Sequence, residues 1–502
     1  MGSMRRIVHP ILAVLAPAAL VLGGCAALDT RMPKPDVSLP AAYEAPAGAP
    51  AGAGPEALDR WWLLFDDPQL TGLIEEALKA SPDAKSAFGR LREANATMRE
   101  TIAGLFPQGD VKGSVTAEHV GSQYSNLSSQ FSQFLGAFSG AGDDRIYSGG
   151  LNVSWELDLF GRDFTAVRGA RATAAAQRFD YEATRMSLAA SVATGLFQAR
   201  GLAIELADAR ENARLAHDLA RVGRRKAEAG LGSEADAARL EADALALDAQ
   251  ISQTDALLKG AIRSLLALVG RGAAPSSSLV IGPVASPPPA VPATTPGALL
   301  ARRPDVREAE MNVRVAAARL KFDKLALLPT FTLEPSYQYS KQVQPSLTEI
   351  TSTTAGAIGV TVPLLSLPKL LEEIKAQGAR GEQAVAAYEK AVQSAYGDAE
   401  RGLTTLQSDN ERVALLRTAT DKSRYAYDAA RKGYDLGLTD LTTLVQAEQA
   451  WRQTRSTYTS ATTSALVDAV STFKALGGGW PASGPEHPGP EHPGHGPNGN
   501  AR

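Results

Sequence analysis

The chain has 502 residues, 51 of them Lys or Arg against 54 Asp or Glu, a formal charge of −3, and a single cysteine. That balance gives nucleic-acid binding no electrostatic support, and one thiol cannot build a disulfide framework. With no Gly-rich phosphate loop, no His-Glu-x-x-His helix and no readable Ser-His-Asp set, an enzyme is not expected, nor a metal centre.

Arg5 and Arg6 precede an apolar run from Ile11 to Leu22 that ends in Leu22-Gly23-Gly24-Cys25. Residues 1–24 read as a secretory signal: a basic start, a short apolar core, and small residues before the cut. The core is too short for a permanent span, and no apolar run of roughly 18 residues follows it, so no transmembrane helix is expected. Residues 25–57 are rich in Pro, Ala and Gly and read as a tether. Helical periodicity begins near Leu58 and runs through Trp61, Leu64, Leu70, Leu73, Ile74 and Leu78. Ser81-Pro82-Asp83 opens a second helix to about Leu105, with serine as N-cap and Pro in the first turn. Phe106-Pro107 closes it and leads into a strand over 111–120.

A Ser-, Gln-, Gly- and Phe-rich loop from Gly121 to Tyr147 precedes a second strand over 147–160. There Leu151, Val153, Trp155, Leu157 and Leu159 point one way, and Asn152, Ser154, Glu156 and Asp158 the other. Gly161 stops the strand, and a helical pattern without proline runs from Phe164 to about Ala229. A strand feeding a helix of roughly 65 residues, about 100 Å at 1.5 Å per residue, is rare in a globular domain. After a turn at 230–236, Leu240, Ala244, Leu247, Ile251, Thr254, Leu258, Ala261, Leu265 and Leu268 step by alternating four and three, a coiled-coil seam. The preceding helix offers Ala199, Leu202, Leu206, Ala209, Ala213 and Ala216, small enough for close approach.

The pattern then recurs. Residues 58–271 read as one structural repeat, 272–298 as a Pro-rich linker, and 299–480 as a second repeat. Arg303-Pro304-Asp305 opens a helix that Leu328-Pro329 closes. Helix initiation explains the triplet without a functional role. Strands follow at 330–340 and 354–366, joined by a polar loop from Ser340 to Thr354, and then a long helix to about Leu436. Tyr181-Glu182 with Tyr388-Glu389, Gly230-Leu231 with Gly437-Leu438, and Gly270 with Gly477 are each 207 positions apart, as an internal duplication gives. Residues 481–502 read as a disordered tail, whose His487, His492 and His495 lie between prolines with no preorganised metal site.

Four strands of roughly ten residues suit a tilted membrane strand, but four cannot close a barrel, and an open edge in lipid leaves backbone groups unpaired. Three copies would supply twelve strands. The polar strand face would line a wet lumen, the oily face would meet lipid, and the long helices would continue as a cylinder.

Leu22-Gly-Gly-Cys25, Trp155-Glu-Leu-Asp-Leu-Phe-Gly-Arg162, Arg302-Arg-Pro-Asp-Val306 with Ala309-Glu310, Leu327-Leu-Pro-Thr-Phe331, Tyr388-Glu-Lys390, Tyr434 with Gly437-Leu438, and Ala475-Leu-Gly-Gly-Gly-Trp480 span nearly the whole mature chain. Together they resemble the outer membrane factor family, the TolC-like channel-tunnels, in its lipoprotein branch. The resemblance implies a mixed α/β membrane protein, mostly α. It would be a homotrimeric channel-tunnel whose chains each give four strands to a 12-stranded outer-membrane barrel and long coiled helices to a periplasmic α-barrel. It implies that Cys25 carries lipid as the mature N-terminus, with Ala26 favouring the outer membrane, and that there is no cofactor beyond that lipid. The implied partners are a periplasmic adaptor and an inner-membrane RND-type transporter, which supplies the energy for drugs or other small molecules to leave through a passive duct. A duct for type I protein secretion and one for metal efflux are alternatives on the same fold. A periplasmic coiled-coil protein without a pore is opposed by the four amphipathic strands.

Function is then expected at the turns 230–236 and 437–443. Read locally, Ser233 with Asp236 forms a capping box, Asp standing in for Glu, and Thr439 or Asp440 caps the second turn. In the family, an Asp in the first turn and a Tyr before the second Gly help latch a closed aperture, positions that Asp236 and Tyr434 match. Thr443 and Gln446 stand where the family commonly has Asp, which removes a carboxylate ring that would draw cations to the constriction. Glu448 lies one helical step round. Asn152, Ser154, Glu156 and Asp158 are assigned to the barrel lumen.

Overall fold

A computed structural model of the protein describes residues 32–44, 55–120, 130, 142–284, 287–292, 294–343 and 348–480. The signal sequence, Cys25, most of the first inter-strand loop and the tail lie outside the described residues. A 3-10 helix (Pro55–Phe65) precedes α1 (Pro68–Ala80), α2 (Pro82–Ala103), β1 (Gln108–Val120), β2 (Gly142–Leu157), α3 (Arg162–Glu228) and α4 (Glu234–Leu268). After the linker come a single turn α5 (Leu299–Arg302), α6 (Pro304–Leu325), β3 (Thr330–Val343), β4 (Thr348–Thr361), α7 (Leu367–Asp435) and α8 (Leu441–Ala475). Helix, strand pair, long helix and return helix thus occur twice in one order.

The helix ends fall where glycine permits them. Gly230 and Gly437 have φ of 69° and 72°, and Gly270 and Gly477 have 80° and 73°, the left-handed region that side chains resist. The Leu231 and Leu438 N–H groups each donate 2.8 Å back to Lys226 and Gly433 carbonyls. These are the six-to-one bonds that satisfy the last carbonyls of α3 and α7. At Gly477 a Cβ would stand 2.9 Å from the Arg302 carbonyl, so that turn also needs glycine for close approach.

The chain divides into two compact units that are not the two sequence repeats; each takes segments from both. The first, drawn from the described residues of 32–35, 92–175 and 311–387, holds one antiparallel sheet in the order β1-β2-β3-β4. Register lines up like with like. Val111, Leu151 and Tyr337 form one row across three strands, and Trp155, Leu333 and Ile358 another. Ser114, Ser148, Ser340 and Thr351 form a polar row, with the Ser114 and Ser148 hydroxyls 2.7 Å apart. The apolar rows are solvent-exposed in the single chain, Val111 at 82% and Ile358 at 74%. Pairing of β2 with β3 skips Val153 and Ser154, opposite Pro335, which has no N–H to give.

Three expectations change here. The polar stretch from Ser340 to Thr354 is mostly strand, continuing the β3–β4 ladder with polar side chains on both faces; only 344–347 lie between β3 and β4 outside the described residues. The second strand spans Gly142–Leu157, not 147–160, and the fourth Thr348–Thr361, not 354–366. Asp158 therefore leaves the lumen-facing set: its carboxylate accepts the Phe164 N–H at 2.9 Å, an orphan donor in the first turn of α3. Glu156, still in the strand, pairs with Arg162 at 3.3 Å, and the Trp155 indole donates 3.0 Å to the Leu105 carbonyl.

The second unit, drawn from residues 36–91, 176–310 and 388 onward, is helical. Its core gathers Leu58, Trp61, Leu70, Ile74, Leu196, Leu265, Leu266, Leu299 and Phe473, with Trp61 stacked on Phe473 at 5.7 Å. Each such side chain contributes about 1.5–3 kcal/mol by leaving water. The heptad seam is buried or half-buried along α4, and Ala213 and Ala216 of α3 meet Ala244 and Leu247. Described residues of the tether and linker are fastened to this core. Tyr43 stacks on Tyr396 at 6.1 Å, the Asp36 N–H donates 2.9 Å to Glu389, and Leu279 and Val291 are buried. Their occasional apolar residues dock although the composition is that of a spacer.

Arg303 of the helix-opening triplet does more than start α6. Its side chain is 10% exposed, pairs with Asp305 at 2.6 Å and Asp398 at 3.3 Å, and donates to the Ala395 and Ala475 carbonyls. Next to it Arg302 pairs with Asp59 and lends its carbonyl to the Trp480 indole at 2.7 Å. Arg303→Ala leaves two partly exposed carboxylates, Asp398 still paired with Arg401, and two carbonyls short of a donor, and is expected to cost about 2 kcal/mol. Arg303→Lys is expected to recover only part, because an ammonium cannot fork between two carboxylates. Thermal unfolding of the purified protein reads both, and an unchanged midpoint for the alanine variant contradicts the assignment.

Candidate functional site

The two helix turns, and the parts of α3, α4, α7 and α8 next to them, lie in the helical unit. At the first turn, the Ser233 hydroxyl accepts the Ala235 N–H at 3.1 Å and caps α4. It serves the donor one residue short of Asp236, and Asp236 itself is exposed. At the second, Asp440 is the N-cap of α8 and accepts the Thr443 N–H at 2.8 Å. Hydrogen bonds from the Thr443 hydroxyl and N–H hold its carboxyl below the usual range. Thr439 takes a different role from the expected cap: its hydroxyl donates 3.2 Å to the Ala430 carbonyl of α7. Thr443 and Gln446 are exposed, so neither is part of the packing behind the turn.

Tyr434 is tied across the duplication. Lys226 of α3 donates 2.7 Å to its hydroxyl and lies 4.4 Å from its ring centroid. Behind this link Leu215, Tyr427, Leu444 and Trp451 form a small buried cluster with Leu219, Ala430, Tyr434 and Ala447 at its edge, Tyr427 stacked on Trp451 at 5.1 Å. Two arginines of α8 carry further links to the first repeat. Arg452 meets Asp243 of α4 at 3.2 Å, and Arg455 pairs with Asp208 of α3. Burial pushes the Asp208 carboxyl up, against the pull of Arg455, and raises Glu205 on the same helix.

Glu448 is not an exposed neighbour of the aperture positions. It is 1% exposed, and its carboxyl sits 3.9 Å from Arg452. A buried glutamate is expensive unless paired and hydrogen-bonded, and burial raises its pKa. The spacing carried the signal: Leu444, Glu448 and Trp451 follow i, i+4, i+7 on one helix face, and all three are buried. Lys226, Arg452 and Asp208 had no such signal, since their partners are roughly two hundred residues away in sequence.

The residues assigned to the strand lumen divide. Asn152, Ser154 and Glu156 occupy the polar face of β2, in line with Ser336 for Asn152 and Thr332 for Glu156, while Asp158 belongs to the helix start. No helix among the described residues is long and apolar enough to cross a membrane, and none of their acidic or histidine groups clusters as a metal site.

A family model described as "Outer membrane efflux protein" matches residues 73–271 and 295–478. The pyoverdine export outer membrane protein OpmQ of Pseudomonas putida is 26% identical over 473 residues, covering 94% of this chain and 98% of the relative. The probable efflux pump outer membrane protein TtgC of Pseudomonas putida is 26% identical over 484 residues, covering 93% and 95%. Among solved structures, the outer-membrane channel OprN superposes with a TM-score of 0.74 at 25% identity, covering 90% of this chain and 99% of that one.

The Asp440 cap titrates with a definite sign. Its carboxyl is held below the usual value, so the cap is complete above the ordinary aspartate range and is lost as pH falls through the lowered pKa. Hydrogen exchange at Thr443 is expected to speed up in Asp440→Ala at neutral pH, and in the wild type only under strong acid. Equal protection in variant and wild type at neutral pH contradicts the cap.

Proposed function

Because the chain belongs to the outer membrane efflux protein family, whose members are outer-membrane channels and not enzymes, we propose how its parts divide that work. Three chains close one barrel, with the polar strand rows, Asn152, Ser154 and Glu156 among them, lining the lumen. The observation that carries this is the open four-stranded sheet, apolar on one face and polar on the other, with one edge of β1 and one of β4 unpaired. In lipid those edges must be paired by further copies. The exposed Phe106, Phe160 and Phe164 near the strand ends suit a membrane interface.

The protein acts as the exit duct of a tripartite efflux system, with a periplasmic adaptor and an inner-membrane transporter. The cargo we assign is small organic molecules; the names of the relatives, one for pyoverdine export and one for an efflux pump, support that class over secreted protein. Cys25 carries the lipid anchor that its Leu-Gly-Gly context calls for. The helix turns form the periplasmic gate: Asp236 and Tyr434 hold it, Lys226 secures Tyr434, and Thr443 and Gln446 replace an acidic ring with neutral side chains.

Two measurements test this. A deletion strain is expected to accumulate and become sensitive to antibiotics and dyes, with rescue by the wild type; rescue by Cys25→Ser shows that the barrel inserts without its anchor. Unchanged tolerance to every compound, with loss of a secreted protein, contradicts the cargo assignment. In planar bilayers, trivalent cations added on the periplasmic side are expected to block the wild type weakly and Gln446→Asp strongly, since three new carboxylates then meet at the constriction. Strong block of the wild type contradicts the neutral gate.

A further inference from the structure

Beyond the turns themselves, the helices behind them hold one ionisable group in a position that only its neutral form suits. Glu448 of α8 is 1% exposed, and its Oε1 has no hydrogen-bond partner. Its cation, Arg452, is 3.9 Å away and closer to Asp243 of α4, at 3.2 Å. From α8 come Arg452 and the Trp451 ring; from α4, Asp243; from α7, Arg431 and the Tyr427 hydroxyl, which lie 3.5 Å apart. From α3 come the apolar Leu215 and Leu219, while the Glu211 carboxylate of that helix acts on Arg455 and Arg431. Arg452 thus faces both carboxylates, Nη2 at hydrogen-bond reach of Asp243 and Nε beyond that reach of Glu448, and only the Asp243 contact bridges the two repeats.

We propose that Glu448 is a proton-operated lock: with its proton on, Arg452 belongs to Asp243 and α8 stays packed on α4 and α7, and with its proton off, the buried charge draws Arg452 away from Asp243 and loosens α8. The step is a simple exchange of a proton with water, and no bond besides the O–H changes. The inference rests on reading the adjoining turns as the gate, for the loosened helix is the one that bears Thr443 and Gln446. Burial raises the Glu448 pKa, Asp243 raises it further, and Arg452 and Arg431 oppose them. A carboxyl held above its ordinary value in the packed state stabilises that state at low pH, and the stabilisation is lost as pH rises through the raised value. The lock is accordingly firm in acid and opens towards neutral pH. The packed-to-loosened ratio changes about tenfold for each unit separating the two states' pKa values.

The test uses the purified full-length protein in two assays across the acid-to-neutral range. Trp451 fluorescence, taken as the difference from Trp451→Phe, reports the helix packing whether or not the protein conducts. Planar-bilayer conductance reports the gate. The wild type is expected to show a pH step in both, with conductance rising on the alkaline side. Glu448→Gln keeps the shape and cannot ionise, so it is expected to lose both steps and remain in the low-conductance form. Asp243→Asn frees Arg452 for Glu448 and is expected to move the step to lower pH. A Glu448→Gln profile that superimposes on the wild type overturns the lock, as does a fluorescence step with no matching conductance step in an active channel, or an unmoved midpoint in Asp243→Asn. If no variant conducts at any pH, the channel reading fails separately, and the fluorescence titration still decides the lock.

Discussion

The rest of the molecule depends on one constraint: a β-sheet placed in lipid must have no free edge. Each chain makes a sheet of four strands, 13 to 16 residues long, whose order β1-β2-β3-β4 leaves an edge at each end. The apolar rows are long enough for a membrane and too exposed for water. Satisfying the edges requires other copies, and copies arranged by rotation close a ring when the β1 edge of one pairs with the β4 edge of the next. The internal duplication adds regularity within the chain, since two copies of helix, strand pair, long helix and return helix give a near-regular set of staves.

Packing strength is not uniform along the helical unit. Around Trp61 and Phe473 the core is built of large side chains, reinforced by Arg302 and Arg303 and flanked by Val37, Leu39 and Tyr43 of the tether and Leu279 and Val291 of the linker. Nearer the turns the seam is Ala213, Ala216 and Ala244 with a single leucine, Leu247, beside one small aromatic cluster. Alanine removes far less apolar surface from water than leucine, so this region is held less by burial and more by single polar links: Lys226 to Tyr434, Arg452 to Asp243, Arg455 to Asp208. Links of that kind can be exchanged without unfolding what lies behind them. The arrangement suits a duct that must open at one end and stay intact elsewhere.

The helices were legible in the sequence because glycine and proline punctuate them. Gly230 and Gly437 end α3 and α7 through left-handed turns, and Pro82 and Pro304 sit in first turns, so the boundaries follow from local stereochemistry. The strands were legible in kind but not in length, since beyond Ser340 consecutive polar residues fill both sheet faces and read as loop. Asp158 was misplaced because alternation continues for one residue after the ladder ends. The docked tether, the Arg302–Arg303 hub and the burial of Glu448 depend on partners distant in sequence. Of these only Glu448 left a local trace, in its spacing with Leu444 and Trp451.

The most direct measurement is the number of chains in the detergent-solubilised protein, by native mass spectrometry. Three copies give twelve strands, a closed barrel and a continuous helical wall. Two copies would give eight strands, still enough for a small barrel, and a monomer would leave both sheet edges bare. A stable trimer is the expected result; a stable dimer or monomer would contradict the way this sheet is taken to close.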